Sequence, residues 1–185
     1  MQTDGKTATV FFNGPSVRQF LDIPRQSLEI GCNFIEQHRA VDHVCAYDRP
    51  VIESLTRRGL TQGVGYWTRT QHQRAPWRTV GAHTTSGTWR HHTGFCSGTL
   101  ALALAVQLRV ERIVLLGLDW QETNASIFDH RYEWRANQPI KHNKHKQDFL
   151  QHISEMTQLD VVHDRPRGFG DRIQWIRSDD FLRSI

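Results

Sequence analysis

The 185-residue chain has no apolar run approaching the roughly 18 residues that a membrane-spanning helix needs, and its opening residues MQTDGKTATVFF carry no long apolar segment. A soluble, cytoplasmic protein is the expectation. Cysteine is scarce: Cys32, Cys45 and Cys96 are odd in number and form no CxxC pair. That excludes a disulfide framework or a zinc knuckle as the organising device and leaves buried free thiols. Lys and Arg are scattered without a long basic run, and no recognition-helix, RRM or zinc-finger pattern occurs. Nucleic acid as a partner is therefore unsupported by any motif. There is no internal repeat and no low-complexity segment either.

What is present is a moderate positive balance. The net charge is +4, with 11 His and 6 Trp, and the pI is about 9.3. Such a composition suits a surface that faces phosphate, and a nucleotide or an acidic glycan satisfies it as well as nucleic acid does. The length fits one domain with a real core and one principal site.

The first ordered signal is TVFFNGPSV. Thr9 to Phe12 reads as a strand; Asn13, Gly14, Pro15 and Ser16 break it, and Val17 to Leu21 reads as a short helix. Free backbone N–H groups at the carboxyl end of such a strand make a natural anion site, while an ordinary turn with Ser16 as N-cap explains the same residues. LEIGCNFI, from Leu28 to Ile35, reads as a second strand. Val44 to Tyr47 reads as a third, stopped by Asp48, Arg49 and Pro50, with a helix over Val51 to Arg58 closed by Gly59. The stretch 61–93 is a loop-rich insertion or lid, with a strand at Gly63 to Thr68. Trp67, Trp77, Trp89, His91 and His92 within it are candidate substrate contacts or packing residues.

CSGTLALALAVQLRVERIVLLGLDW is the strongest local signal. Ser97 and Gly98 precede a small-residue helix, Thr99 to Leu108, and a wholly apolar strand, Arg112 to Leu118, ends at Asp119. An apolar helix followed by an apolar strand implies a central, mostly parallel sheet flanked by helices, with Ala101, Ala103 and Ala105 letting the helix lie close to it. Asp119 is expected to be structural, satisfying backbone N–H groups at the strand's end. Lys146 to Met156 reads as a helix, LDVVHD as a strand and SDDFLRSI as a terminal helix.

In this order, FNGPSV, GCNFI, CSGTLALALAVQLRVERIVLLGLDW and IKHNKHKQDFLQHI resemble the small bacterial sialyltransferases that use CMP-sialic acid, and related sialyltransferase-like domains. The resemblance touches less than half the chain. It implies a single Rossmann-like α/β domain over residues 1–185, of the GT-A variant type. It also implies a glycosyltransferase that moves a sugar from a nucleotide-sugar donor, with a CMP-sugar foremost, to a glycan or other acceptor hydroxyl. By position, Asn13, Gly14 and Ser16 line the donor's phosphate and ribose region and Asn33 contacts the nucleotide. Ser97, Gly98 and Thr99 hold the donor at the start of the apolar helix. Asp48 stands near a nucleotide-contacting position, where a carboxylate suits a ribose hydroxyl or a base amine.

In that family a histidine before the last long helix is the general base, and HNKHK offers His142 and His145, of which His142 better matches the spacing. No third ligand joins them at useful spacing, so no metal is expected, nor a tightly bound cofactor. The family's tyrosines after its G-x-D strand are not reproduced: Trp120, Gln121 and Ile127 stand in that region. Tyr132, Arg131 or Arg135 then stabilises the leaving phosphate, or the protein does not transfer sialic acid. Another nucleotide-handling transferase of pyrophosphokinase type and an inactive nucleotide- or nucleic-acid-binding module are the alternatives.

Overall fold

The computed structural model describes residues 7–80, 96–119, 143–164 and 172–185, with side chains in the third stretch from 147 onward. Eight strands form one sheet: β1 (Thr7–Phe11), β2 (Leu28–Cys32), β3 (His43–Cys45), β4 (Gly65–Thr68), β5 (Arg78–Thr79), β6 (Arg112–Leu116), β7 (Gln158–Val162) and β8 (Ile173–Ile176). Their order is β5-β4-β3-β2-β1-β6-β7-β8, and all seven pairings are parallel. Among the described residues four α-helices accompany them, α1 (Arg49–Arg58), α2 (Ser97–Gln107), α3 (Asn143–Met156) and α4 (Ser178–Ser184). Short 3₁₀ turns run over Pro15–Phe20, Ile35–Gln37 and Thr70–His72.

A parallel sheet must be covered on both faces, and alternation along each strand supplies the two apolar surfaces. Val10, Ile30, Cys32, Cys45, Ile113, Leu115 and Val161 face α2 and α3. Phe11, Val44, Tyr66, Leu116 and Val162 face the first 3₁₀ turn, α1 and Phe181 of α4. Helix α2 is buried from Ser97 to Ala105 because it lies between the sheet and α3. That explains a sequence with no polar face. Gly98 is needed at its start, since a Cβ there would sit 2.4 Å from the Phe12 ring.

Differences from the sequence reading are local. The segment after Pro15 is a 3₁₀ turn rather than an α-helix, and β2 stops at Cys32. Strands β5 and β8 went unforeseen because two and four residues give no readable alternation. Cys32 and Cys45 are buried free thiols, and burial pushes both well above the ordinary thiol pKa. Trp67 and Trp77 are core residues: Trp67 donates its ring N–H to His43 Nδ1 at 3.3 Å and Trp77 to Thr56 Oγ1 at 3.0 Å. Trp89, His91 and His92 lie outside the described residues. Among the described residues no helix is long and apolar enough to cross a membrane.

Candidate functional site

The strand order reverses beside β1. Strands β2 to β5 extend to one side and β6 to β8 to the other, so the gap between β1 and β6 is the topological switch point where open α/β sheets leave a crevice. Asn13, Gly14 and Ser16 follow β1 there, and Gly117 to Asp119 follow β6. The two turns lie against each other. Phe12 N–H donates to Leu116 O at 2.8 Å and Gly14 N–H to Gly117 O at 3.0 Å, while Ser16 N–H donates to Asp119 Oδ2 at 2.7 Å. A Cβ on Gly14 would stand 2.5 Å from Gly117 O and 2.6 Å from Asp119 Oδ2, which is why glycine occupies that position.

The backbone amides of Gly14 and Ser16 are therefore not free, in contrast to the anion site read from the sequence, because the end of β6 supplies their acceptors. What the turn leaves open is side-chain chemistry. Asn13 Oδ1 and Ser16 Oγ are buried and have no hydrogen-bond partner among the described residues. Buried polar atoms without partners are uncommon and call for an explanation such as a ligand or ordered water. Asp119 does hold a backbone N–H, as a structural carboxylate does. Replacing it by alanine is expected to cost about 1–3 kcal/mol, the price of an unpaired amide, and by asparagine less, since an acceptor oxygen remains. Thermal melts of the two variants compare them; an alanine variant as stable as the parent would mean that Ser16 N–H has another acceptor.

The next strand ends add a second group. Asn33 follows β2 with φ 54°, a left-handed conformation that asparagine tolerates better than most residues. Its N–H bonds Cys45 O at 2.9 Å, and its Oδ1 accepts the Ser97 hydroxyl at 2.6 Å. Ser97 Oγ in turn accepts the Tyr47 N–H at 3.0 Å. The start of α2 is thus tied to the carboxyl ends of β2 and β3. Thr99 turns back to close the helix start, its Oγ1 donating to Cys96 O at 2.9 Å and accepting Cys96 N–H at 3.2 Å, so its hydroxyl already has two partners. Asp48 is the N-cap residue of α1, beside Tyr47.

A third group was missed in the sequence. Arg69, immediately after β4, donates from Nη1 to Tyr47 Oη at 2.7 Å and lies with its guanidinium carbon 4.3 Å from that ring's centre. Its Nη2 is 2.6 Å from His72 Nε2. Burial lowers the His72 pKa and the Arg69 and Arg49 charges lower it further, against Asp48. His72 is thus neutral at pH 7 and accepts from Arg69 in the tautomer that keeps its proton on Nδ1. A charged residue just beyond the expected strand Gly63 to Thr68 was the available signal, hidden because nothing local says which strand end that edge faces.

All eight donor-side candidates, Asn13, Gly14, Ser16, Asn33, Asp48, Ser97, Gly98 and Thr99, stand at the carboxyl edge of adjacent strands or at the helix start tied to it. His142 lies outside the described residues, as do Trp120, Tyr132, Arg131 and Arg135, and of His145 only the backbone is described. Helix α3, which follows His142, ends at the opposite edge: Thr157 donates to Val110 O at 3.0 Å and Gln158 N–H to Glu111 O at 2.9 Å. Fourteen residues span about 21 Å, so α3 begins at the carboxyl edge. A surface hollow of about 550 Å³ lined by Val106, Arg109, Glu111, Met156 and Gln158 lies at the amino edge, away from these groups.

No protein-family model matches the sequence, and no curated protein does. Solved structures match its fold. The chain is similar to the monofunctional α-2,3-sialyltransferase Cst-I of Campylobacter jejuni, with a TM-score of 0.59 and 11% identity over 100% of this chain and 80% of that one. It is similar to the sialyltransferase CstII solved with a trisaccharide acceptor and CMP, with a TM-score of 0.60 and 13% identity over 95% and 88%. The MAf glycosyltransferase of Magnetospirillum magneticum AMB-1 matches with a TM-score of 0.60 and 10% identity, over 95% of this chain but 34% of that one. At these identities the likeness establishes a shared sialyltransferase-like α/β fold, which is the architecture expected from the sequence.

Proposed function

We propose that the protein is a glycosyltransferase-like enzyme that binds a nucleotide-sugar donor at the carboxyl edge of its sheet and passes the sugar to an acceptor hydroxyl. The observation that carries this reading is the pair of buried, unpartnered oxygens, Asn13 Oδ1 and Ser16 Oγ, at the switch point. A hydroxyl there donates to a phosphate oxygen, and a carboxamide oxygen accepts from a ribose hydroxyl; a nucleotide offers both. The N-terminus of α2 adds helix N–H groups and the positive end of its dipole, with Ser97 and Gly98 at the opening. Asp48 and Asn33 supply acceptors for hydroxyl or amine groups farther along the ligand.

In the proposed reaction the acceptor oxygen attacks the anomeric carbon, the bond to the phosphate oxygen breaks with its electron pair going to the departing nucleotide, and His142 takes the acceptor's proton. CMP is the first nucleotide to test, since CstII was solved with it. At a ligand concentration 100 times Kd, binding to the folded state adds about 2.7 kcal/mol, or a rise in Tm of roughly 5–10 °C for a chain of this size. Melts with CMP, UDP, GDP, ADP and their sugars are expected to show such a shift for one nucleotide, and Asn13→Ala with Ser16→Ala to abolish it without unfolding the protein. No shift with any nucleotide would overturn the reading.

A further inference from the structure

We propose that Arg69 reads a negatively charged group of the substrate other than the donor phosphate; this deepens, and rests on, the nucleotide-sugar reading. Arg25, Arg39, Arg49, Arg112 and Arg183 each meet a carboxylate, and Arg58 and Arg78 lie over the rings of Phe34 and Trp67. Arg69 is held differently. Among the described residues its partners are the Tyr47 hydroxyl and ring and the neutral His72 imidazole, and its buried Nε has none. Aromatic and imidazole neighbours fix the plane of the guanidinium without cancelling its charge. Among the described residues, the charges besides Arg69 that act on His72 are Arg49 and Asp48, which are opposite in sign. Half-buried Arg69 hydrogen-bonds to no carboxylate among the described residues, and an unmade hydrogen bond to a buried donor is unfavourable.

The cluster belongs to the same edge as the candidate site. Tyr47 joins the two, its N–H on Ser97 Oγ and its hydroxyl on Arg69 Nη1. Yet β4 lies three strand spacings from β1, about 14 Å. A phosphate held at Ser16 leaves Arg69 to a separate group of a ligand extended along the edge. A ligand that reaches both carries a second anionic group, and a planar carboxylate suits the guanidinium fork. That group belongs either to the donor sugar or to the acceptor.

Calorimetric titrations of the parent protein, Arg69→Gln and Arg69→Lys with CMP, CMP-sialic acid, and glucuronate or glucose added to CMP-saturated protein test this, with melts confirming that the variants fold. If the anion is on the donor, Arg69→Gln weakens CMP-sialic acid about tenfold or more and CMP itself less than about twofold. If it is on the acceptor, the loss appears for glucuronate and not for glucose. Arg69→Lys, which keeps charge but not the fork, falls between. Equal losses for CMP and CMP-sialic acid would assign Arg69 to the nucleotide and overturn the inference. Binding of CMP by the parent with neither acidic probe affected by substitution would overturn it alone, whereas a parent that binds no nucleotide would overturn the proposed function and this inference together.

Discussion

His142→Ala is expected to slow sugar transfer by about 100- to 10,000-fold, the usual contribution of a general base, while leaving nucleotide affinity nearly unchanged. The expectation rests on the proposed function and on the placement of α3. That helix ends at the amino edge of the sheet, where Thr157 and Gln158 bond to Val110 and Glu111, so its first residue, Asn143, is at the edge that carries Asn13, Ser16 and Ser97. An imidazole is suited to removing a hydroxyl proton near neutral pH. His145→Ala is expected to do less, since its spacing matches the family base less well. Initial rates with a CMP-sugar, alongside CMP affinity, separate the outcomes: a loss of rate with affinity kept supports a base, and a loss of both points to donor binding. Transfer by the His142 variant at the parent rate would remove His142 from the mechanism.

The largest stability effect is expected at Arg39, far from any chemistry. Glu29 on β2 and Arg39 form an ion pair with side chains 2% and 8% exposed. The guanidinium also donates to Leu21 O at 2.7 Å and Ile23 O at 2.8 Å and lies 5.0 Å from the centre of the Phe11 ring. Arg39→Ala leaves a buried carboxylate and two carbonyl groups without their donor. Breaking one side of a buried pair costs about 3–5 kcal/mol, a fall in Tm of roughly 10 °C or more. Glu29→Leu combined with Arg39→Met is expected to recover part of the loss, because an apolar pair needs no counter-charge. Denaturant titrations of the single and double variants measure the coupling. A single variant within about 1 kcal/mol of the parent would show that the pair is solvated in solution.

The arrangement of the site was legible in one respect and hidden in another. NGPS after β1, Asp48 after β3 and Ser97 before an apolar helix could be placed because each follows or precedes a strand or helix whose apolar period is visible in a few residues, whereas Asn33, inside the expected strand Leu28 to Ile35, is a site residue by the resemblance alone. Nothing local tells which of these groups has a partner. The Ser16 amide is taken by Asp119, 103 residues away, and the Ser97 hydroxyl by Asn33, 64 residues away. Arg69 meets Tyr47 across 22 residues, and the expected strand at Gly63 to Thr68 does not tell that it pairs beside β3.

By itself, then, the sequence determined the class of fold: apolar strands such as Arg112–Leu116 and the all-apolar helix before it have to be buried on both sides, and only a parallel sheet between helix layers does that. It also determined which residue types stand at strand ends. The tertiary structure alone decided that β6 lies beside β1 rather than beside β5. That adjacency brings Asp119 onto the Ser16 amide and leaves Asn13 Oδ1 and Ser16 Oγ unpartnered among the described residues, while the pairing of β3 with β4 sets Arg69 against Tyr47. The physical reason is range: burial and backbone preference act over a turn or a strand, whereas hydrogen-bond partners at a sheet edge depend on which distant strands pair.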